Sequence, residues 1–466
     1  MNLHLSDLQR RTYSQFAELS LPRHTSYPAA NFWDKNKSLT EIIENNDSSQ
    51  GDISLYFHIP FCHSLCFYCA CQKEVCDRKS EGTREKISTL LESFAQELSI
   101  KKPLLKNKKV SHIHFGGGTP SFLNNEEWLK LWDLVHEHVT FSRDPELAIE
   151  LDPRTIDRDR LKFFRGLGFN RISLGVQDFN SKVQKAINRE QSYQQVKILC
   201  EAARELGYKS INFDLIYGLP FQTLESMEET LRQVATLAPD RIAFYRLAVL
   251  PEMFKWQKTF LEKDLPQGLL PLELNLLAIN YLRDQGYDFI GLDHFAKHSD
   301  ELAVAQKSGA LHRNFQGMTA GRDQTILGFG PSAISALGDT YFQNPRERKH
   351  WVKAIYEDQT QYRAHVKNVD DHIRHEVIQS IYNYGTVDVQ AIEDQFNISW
   401  DDYFSNSIAL IKGLEEKGLV DCTDYMIKEN GVLGRLLRRV IAAAFDKYLP
   451  DNPFVKGTPG KASQVG

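Results

Sequence analysis

Five of the chain's seven cysteines fall within fifteen residues, and four of them within the ten residues 62-CHSLCFYCAC-71. An odd number of thiols in one tight cluster does not build a disulfide framework; it points to metal or redox chemistry in a reducing compartment. A structural zinc site draws on two separated C-x2-C pairs, whereas here the spacings are x3, x2 and x1, with no second pair downstream. A redox pair is a bare C-x-x-C near a helix start, and a bacterial ferredoxin run reads C-x2-C-x2-C-x3-C-P. Neither fits. There remain Cys62, Cys66 and Cys69 as C-x3-C-x2-C, three thiolates for a [4Fe–4S] cube whose fourth iron lacks a protein ligand. An open metal position is what a catalytic centre requires and a structural one avoids. Cys71, two residues further in C-x-C, can face the same site without sharing its ligation. Cys76, Cys200 and Cys422 read as ordinary buried thiols.

These residues need a frame. Short runs rich in β-branched and aromatic residues occur at 53-ISLYFHI, 110-VSHIHF, 147-LAIELD, 171-RISLGV, 211-INFDLIY and 241-RIAFYRL. Each is bounded by turn signals, as buried parallel strands are. Segments with apolar spacing near 3.6 lie between them, such as 84-REKISTLLESFAQELSI-100 and 193-YQQVKILCEAARELGY-208. Strand and helix alternating through six units predict an α/β fold with a parallel sheet, in the form of a partial (β/α)6, three-quarter TIM-type barrel. The stretch 288-DFIGLD-293 would flank that sheet. Ligands of such folds gather beyond the carboxyl ends of the strands. The chemistry-bearing residues fall there: Cys62, 116-GGGTP-120, Glu150 and Asp152, Gln177, Asp214 with 217-YGLP-220, and Ala248.

The predicted organisation is an N-terminal arm over 1–50 laid on the main domain, and a catalytic (β/α)6 domain over 51–355. A small, mainly helical C-terminal domain over 356–450 follows, with a winged-helix-like pattern, and then a disordered tail over 451–466. Lys and Arg number 56 against 61 Asp and Glu, a net charge of −5. With no basic excess, nucleic acid is not an expected partner. No apolar run reaches the roughly 18 residues of a membrane span. The start, MNLHLSDLQRRTYSQF, lacks the apolar run of a signal peptide, so the expected location is the cytoplasm.

C-x3-C-x2-C preceded by YFHIPFC resembles the radical S-adenosylmethionine superfamily, and 116-GGGTP-120 resembles its motif for the methionine amino end. Longer strings, among them IPFCHSLCFYCAC, FGGGTPSFL, ELDPRT, GFNRISLGVQDFN, DLIYGLP, GLDHFA and LHRNFQG, resemble the bacterial oxygen-independent coproporphyrinogen III oxidases from about Pro22 to about Leu449. That resemblance implies a [4Fe–4S] cluster and two molecules of S-adenosylmethionine. It implies oxidative decarboxylation of two propionates of coproporphyrinogen III to vinyls, giving protoporphyrinogen IX in haem synthesis. Matched residue by residue, it implies Tyr56, Tyr68, Gly117, Glu150 and Ile334 around the first S-adenosylmethionine. Gly118, Thr119, Gln177, Arg189, Asp214 and Ala248 would surround the second, with Cys71 catalytic. It further implies an electron donor such as flavodoxin or ferredoxin, and a monomer.

The substrate is a tetracarboxylate, so cationic or donor groups must face it; the candidates are Arg23, His24, Arg246 and 312-HRNFQG-317. Two departures stand out against the family pattern. Ala-His-Leu-Pro is replaced by 248-AVLP-251, which puts an apolar Val249 where the family has a histidine, and Arg23-His24 replaces an Arg-Tyr pair. The competing readings are a haem chaperone that keeps the cluster and another tetrapyrrole-acting radical enzyme. Cys71 counts against the chaperone, where an aromatic usually stands.

Overall fold

The computed structural model describes residues 3–33, 35–46, 51–321, 325–357 and 361–454. The tail expected to be disordered therefore lies, from 455 onward, outside the described residues. The six expected strands are present: β1 (Gly51–Ile59), β2 (Lys108–Gly117), β3 (Phe141–Leu151), β4 (Arg171–Gln177), β5 (Ser210–Tyr217) and β6 (Arg241–Arg246). Each pairs in parallel with the next, and helices such as Glu81–Leu105, Asn125–His138, Tyr193–Glu205 and Leu224–Leu237 make the crossovers. Those helices begin on side-chain caps that satisfy their first free N–H groups, with reciprocal capping boxes at Asn124/Glu127, Ser192/Gln195 and Thr223/Ser226.

The parallel run is one strand longer than the six-unit reading. β7 (Thr325–Phe329) pairs in parallel with β1, Gly328 lying opposite Tyr56. Antiparallel strands extend the sheet on both flanks, and the expected flanking segment forms Tyr287–Ile290, paired with His294–Lys297 beside β6. On the outer face, the Phe57 ring stacks between Phe115 and Phe329, at 4.9 and 4.7 Å between centroids, and ties β1 to both neighbours.

β7 is also fastened from outside the sheet. Lys101, on the helix Glu81–Leu105, donates to Glu97 Oε1 at 2.6 Å and to the Gly328 carbonyl at 2.7 Å, and Glu97 Oε2 accepts from Gly330 N. Both side chains are completely buried, and burial holds the Lys101 pKa below its usual value. Lys101→Met would leave the Glu97 carboxylate buried without its cation. The expected loss is about 3 kcal/mol, read by urea unfolding, with Glu97→Gln/Lys101→Met recovering most of it. Equal stability of Lys101→Met and the parent would remove the pair as the fastening.

In the mainly helical C-terminal region, helices Val369–Tyr384, Val389–Phe396 and Ser405–Glu415 accompany a three-stranded antiparallel sheet of Thr386–Asp388, Val420–Cys422 and Met426–Glu429. The arm is more than a cover for the barrel. Leu5, Tyr13, Phe16, Leu19, Leu21 and Tyr27 share one apolar core with Ile373, Val377, Tyr382, Leu437 and Phe445. Arm and C-terminal region are thereby held together by burial of common apolar surface. No helix among the described residues is long and apolar enough to cross a membrane.

Candidate functional site

The cysteine loop leaves the end of β1 and is pinned on both sides. Cys76 N donates to the Cys62 carbonyl, Phe67 N to the Ile187 carbonyl, and the Asn188 amide to the Leu65 carbonyl. Trp256 Nε1 and Gln257 Nε2 reach across from the segment after β6 to the carbonyls of Cys69 and Tyr68. Lys73 donates to the Cys69 carbonyl and lies 4.4 Å from the centre of the Trp256 ring. All seven cysteines are free, with Cys62 and Cys66 buried, Cys69 half-buried and Cys71 exposed. Among the described residues no three histidine, cysteine or carboxylate side chains close round a single-ion point.

The donor set suits an anionic sulfur cluster. Burial pushes the Cys62 thiol up to about 12, although Thr119 Oγ1 donates to its sulfur at 3.5 Å. Two guanidinium groups, from Arg189 and Arg154, point at Cys66 Sγ at 3.4 and 3.5 Å. Cys71 donates to Cys69, which lowers the Cys69 thiol to about 6 and raises that of Cys71. Three thiolates carrying a cube need such donors and cations, because charge on buried sulfur is costly without them. The residues present therefore fit a [4Fe–4S] group with one open corner.

Asp152, placed among the chemistry-bearing strand ends by the sequence but given no ligand there, organises the two arginines. It accepts from Arg154 at 2.7 Å and from Arg189 at 3.2 Å. Burial works to raise its pKa, but the guanidiniums of Arg189 and Arg154 outweigh this and hold the carboxyl below its ordinary range. Arg189 also donates twice to the Gly175 carbonyl, at 2.7 and 3.1 Å, and is buried, so it is no surface ion pair. A Cβ on Gly175 would come within 2.8 Å of that guanidinium, which explains the glycine inside β4. Gln177 ends the strand beside a register shift, in the left-handed region at φ 66°, a conformation uncommon outside glycine.

A second group of side chains lines the inner face of the sheet. Tyr56 donates to His58 Nδ1 at 3.1 Å, while His58 Nε2 donates to the Gln72 carbonyl at 2.8 Å; a carbonyl only accepts, and this fixes the tautomer. His114, a residue without a role in the sequence reading, stacks on Tyr56 and donates to Glu150 Oε1 at 2.9 Å. Gly117 N donates to Glu150 Oε2. Burial opposes ionisation of Glu150, yet these hydrogen bonds hold its pKa below the usual value. The three glycines are sterically required: a Cβ on Gly116 would lie 2.6 Å from Glu150, on Gly117 2.5 Å from His58, and on Gly118 2.7 Å from the Phe61 carbonyl.

Asp214 accepts from Ser173 Oγ at 3.2 Å and from Asn212 Nδ2 at 2.9 Å. Burial, followed by the charge of Glu150, raises its pKa to about 6. At pH 7 the group is ionised at a cost that the unfolded chain does not bear. Asp214→Asn is therefore expected to raise stability of the ligand-free protein by about 1–3 kcal/mol at pH 7, one pKa unit being worth about 1.4 kcal/mol. The sign follows from proton uptake, since the folded form holds a proton that the unfolded form has lost between pH 4 and 6. The gain should thus vanish below about pH 4, where both states are protonated. Thermal melts of the two proteins at pH 4 and 7 measure it, and equal melting at pH 7 would count against the strain.

The remaining expected residues are placed as follows. Ala248 accepts from Gln257 through its carbonyl. Ile334 begins the strand Ile334–Leu337, its carbonyl 2.7 Å from where a Cβ on Gly328 would stand. Tyr68 packs against an apolar cluster that includes Val183, Ile187 and Leu219. His24, a candidate for the substrate, is instead a core residue: its ring nitrogens meet Tyr382 Oη and Asp446 Oδ2 at 3.0 and 2.9 Å, with no exposed side-chain surface. Arg313 is likewise buried in a bidentate pair with Asp293. Val249 is exposed.

The radical SAM superfamily signature matches residues 56–234. Over 430 residues the chain is 42% identical to the oxygen-independent coproporphyrinogen III oxidase of Escherichia coli K12, covering 92% of this chain and 93% of that protein. The enzyme of the same description from Pseudomonas aeruginosa is 39% identical over 442 residues, 93% of this chain and 94% of the other. The solved structure of the Escherichia coli coproporphyrinogen III oxidase, a radical SAM enzyme, superposes with a TM-score of 0.87 at 40% identity, covering 93% of this chain and all of that one. Membership of that superfamily implies S-adenosylmethionine and a [4Fe–4S] cluster as cofactors. With a three-thiol loop at the carboxyl end of a partial barrel and likeness along nearly its whole length, the chain belongs to the oxygen-independent coproporphyrinogen III oxidases, a family of radical SAM oxidoreductases.

Proposed function

We propose that this chain converts two propionate side chains of coproporphyrinogen III to vinyl groups without oxygen, giving protoporphyrinogen IX in haem synthesis. The observation that carries the reading is the loop of three free thiols, Cys62, Cys66 and Cys69, set at strand ends lined by Glu150, Asp214 and Arg189. With S-adenosylmethionine bound and one electron from an external donor, the cluster that Cys62, Cys66 and Cys69 would hold would supply a 5′-deoxyadenosyl radical, the chemistry needed to take a hydrogen atom from a propionate β-carbon that no side-chain base could deprotonate. The substrate radical then releases CO2 and one electron to an acceptor, leaving the vinyl double bond.

The chain's own residues bind and orient. Cys62, Cys66 and Cys69 hold the cluster, and Arg154 and Arg189 offset its charge through N–H donation to Cys66. Tyr56, Tyr68, Gly117, Glu150 and Ile334 take the first S-adenosylmethionine; Glu150, kept ionised by His114, accepts from an ammonium or a ribose hydroxyl. Gly118, Thr119, Gln177, Arg189, Asp214 and Ala248 take a second. Cys71, exposed beside Cys69, serves turnover rather than ligation. An external one-electron donor such as flavodoxin or ferredoxin, acting on a cytoplasmic monomer, completes the proposal.

The test is anaerobic incubation of the cluster-loaded protein with S-adenosylmethionine, a reductant and coproporphyrinogen III. Protoporphyrinogen and 5′-deoxyadenosine should form together. Release of 5′-deoxyadenosine alone, with stable haem binding, would replace the oxidase reading by a haem chaperone.

A further inference from the structure

Four arginines from three separate parts of the chain converge on one small cavity. Arg23 comes from the arm, Arg246 ends β6, and Arg435 and Arg439 lie on the C-terminal helices Gly431–Leu436 and Arg438–Ala443. Tyr217, at the end of β5, forms part of the wall. The carboxylate in the lining is Asp293, and it is already engaged. It accepts from both Nη atoms of Arg313 at 3.0 and 3.2 Å and from His294 Nδ1 at 2.7 Å, while Arg23 approaches it at 3.8 Å. Among the described lining residues, four guanidiniums therefore stand against one carboxylate. Arg435 lies over the Phe289 ring at 4.2 Å and donates through Nη2 to the Phe289 carbonyl, while its Nε is buried with no partner. Burial, followed by the neighbouring guanidiniums Arg438 and Arg23 respectively, lowers the pKa of Arg435 to about 10 and that of Arg439 to about 9. Buried cations that crowd one another are costly, and an anion between them removes much of that cost.

The size of the space narrows the ligand. Its volume is about 50 Å³, where one water needs about 10–15 Å³ on the same measure, which is room for a small polar head such as a carboxylate. The location narrows it further: Arg246 stands two residues before Ala248 on the same strand exit, and Arg23 donates to the Arg246 carbonyl at 3.4 Å. We propose that this arginine cavity is a carboxylate site that anchors one propionate of the tetrapyrrole substrate, so that arm, barrel and C-terminal helices are all needed to bind it. The proposal rests on the tetrapyrrole reading above. It also supplies a reason for the arm and C-terminal region to share a core: neither alone forms the site.

The probe is coproporphyrin III, the stable oxidised tetracarboxylate, titrated anaerobically by fluorescence into the cluster-loaded protein. Arg246→Gln and Arg435→Gln should each weaken binding about tenfold, the worth of one charge-assisted hydrogen bond. Arg435→Lys, which keeps charge without the fork, should fall between. In steady state the same variants should raise KM for coproporphyrinogen III more than they lower kcat. Melting curves of each variant identify any loss of fold, and Arg23→Gln, whose side chain is 29% exposed, gives the same test where unfolding is not at issue. Parent protein that binds no coproporphyrin would overturn the tetrapyrrole reading and this inference with it. Coproporphyrin binding indifferent to all three arginine substitutions would overturn the cavity assignment alone. So would protection from melting by inorganic phosphate that is lost in Arg435→Gln while coproporphyrin affinity stays unchanged, because the cavity would then serve a free anion.

Discussion

Replacement of Cys66 by alanine is expected to give a folded protein without the iron–sulfur absorbance near about 400 nm and without turnover. The thiol is buried and faces two guanidinium groups, so the alanine removes a cube corner together with the anion those groups address. No spare ligand takes its place. Cys71 is engaged with Cys69, and Cys76 lies beside Lys86 at 3.8 Å. Loss of an outer hydrogen-bonding partner alone costs a metal site about 10–100-fold, so loss of one of three ligands should take activity to background. Cys62→Ala and Cys69→Ala should behave alike. Cys71→Ala separates ligation from turnover: it should keep the absorbance and lower the rate. Bleaching in Cys71→Ala with retention in Cys66→Ala would reverse the assignment, and anaerobic spectra with iron counts on the four proteins decide it.

Much of the frame was legible because burial writes it into local pattern. Runs such as 211-INFDLIY put Ile211, Phe213, Leu215 and Tyr217 on one face and leave Asn212 and Asp214 to the face that lines the site, and the caps of the intervening helices are read from single residues. β7 was not legible. Thr325–Phe329 is five residues long with a glycine inside, and its partner β1 lies more than 260 residues earlier in the chain. His24 failed for a similar reason: as a polar residue beside an arginine it looks available, yet Tyr382 and Asp446, both more than 350 residues away, enclose it. The cysteine spacing, by contrast, is a local property and carried the centre's chemistry. His114 left a signal that was passed over. It alternates with outward-facing Phe115 and so must share the inner face with Tyr56, where it meets Glu150.

Asp152→Ala should show that the surroundings of Cys66 are balanced for an anionic cluster rather than for the bare fold. In the cluster-free protein the Asp152 carboxylate lies between Arg154 and Arg189 and offsets both. Its removal leaves two largely buried cations facing one another across Cys66, and breaking a buried pair in this way costs about 3–5 kcal/mol. Asp152→Asn retains an acceptor for one N–H but not the charge, and should lie between. Cluster loading changes the sum, because the sulfurs of an anionic cube accept from the same two guanidiniums at the place where Cys66 Sγ now does. The penalty should therefore be large in the cluster-free form and much smaller once iron and sulfide are restored. Anaerobic melts of both forms of the parent and of Asp152→Ala measure the difference. Equal destabilisation with and without the cluster would mean that the arginines answer to Asp152 alone. A smaller penalty in the loaded form means that the carboxylate keeps the site in shape until the cluster's own charge takes over the arginines.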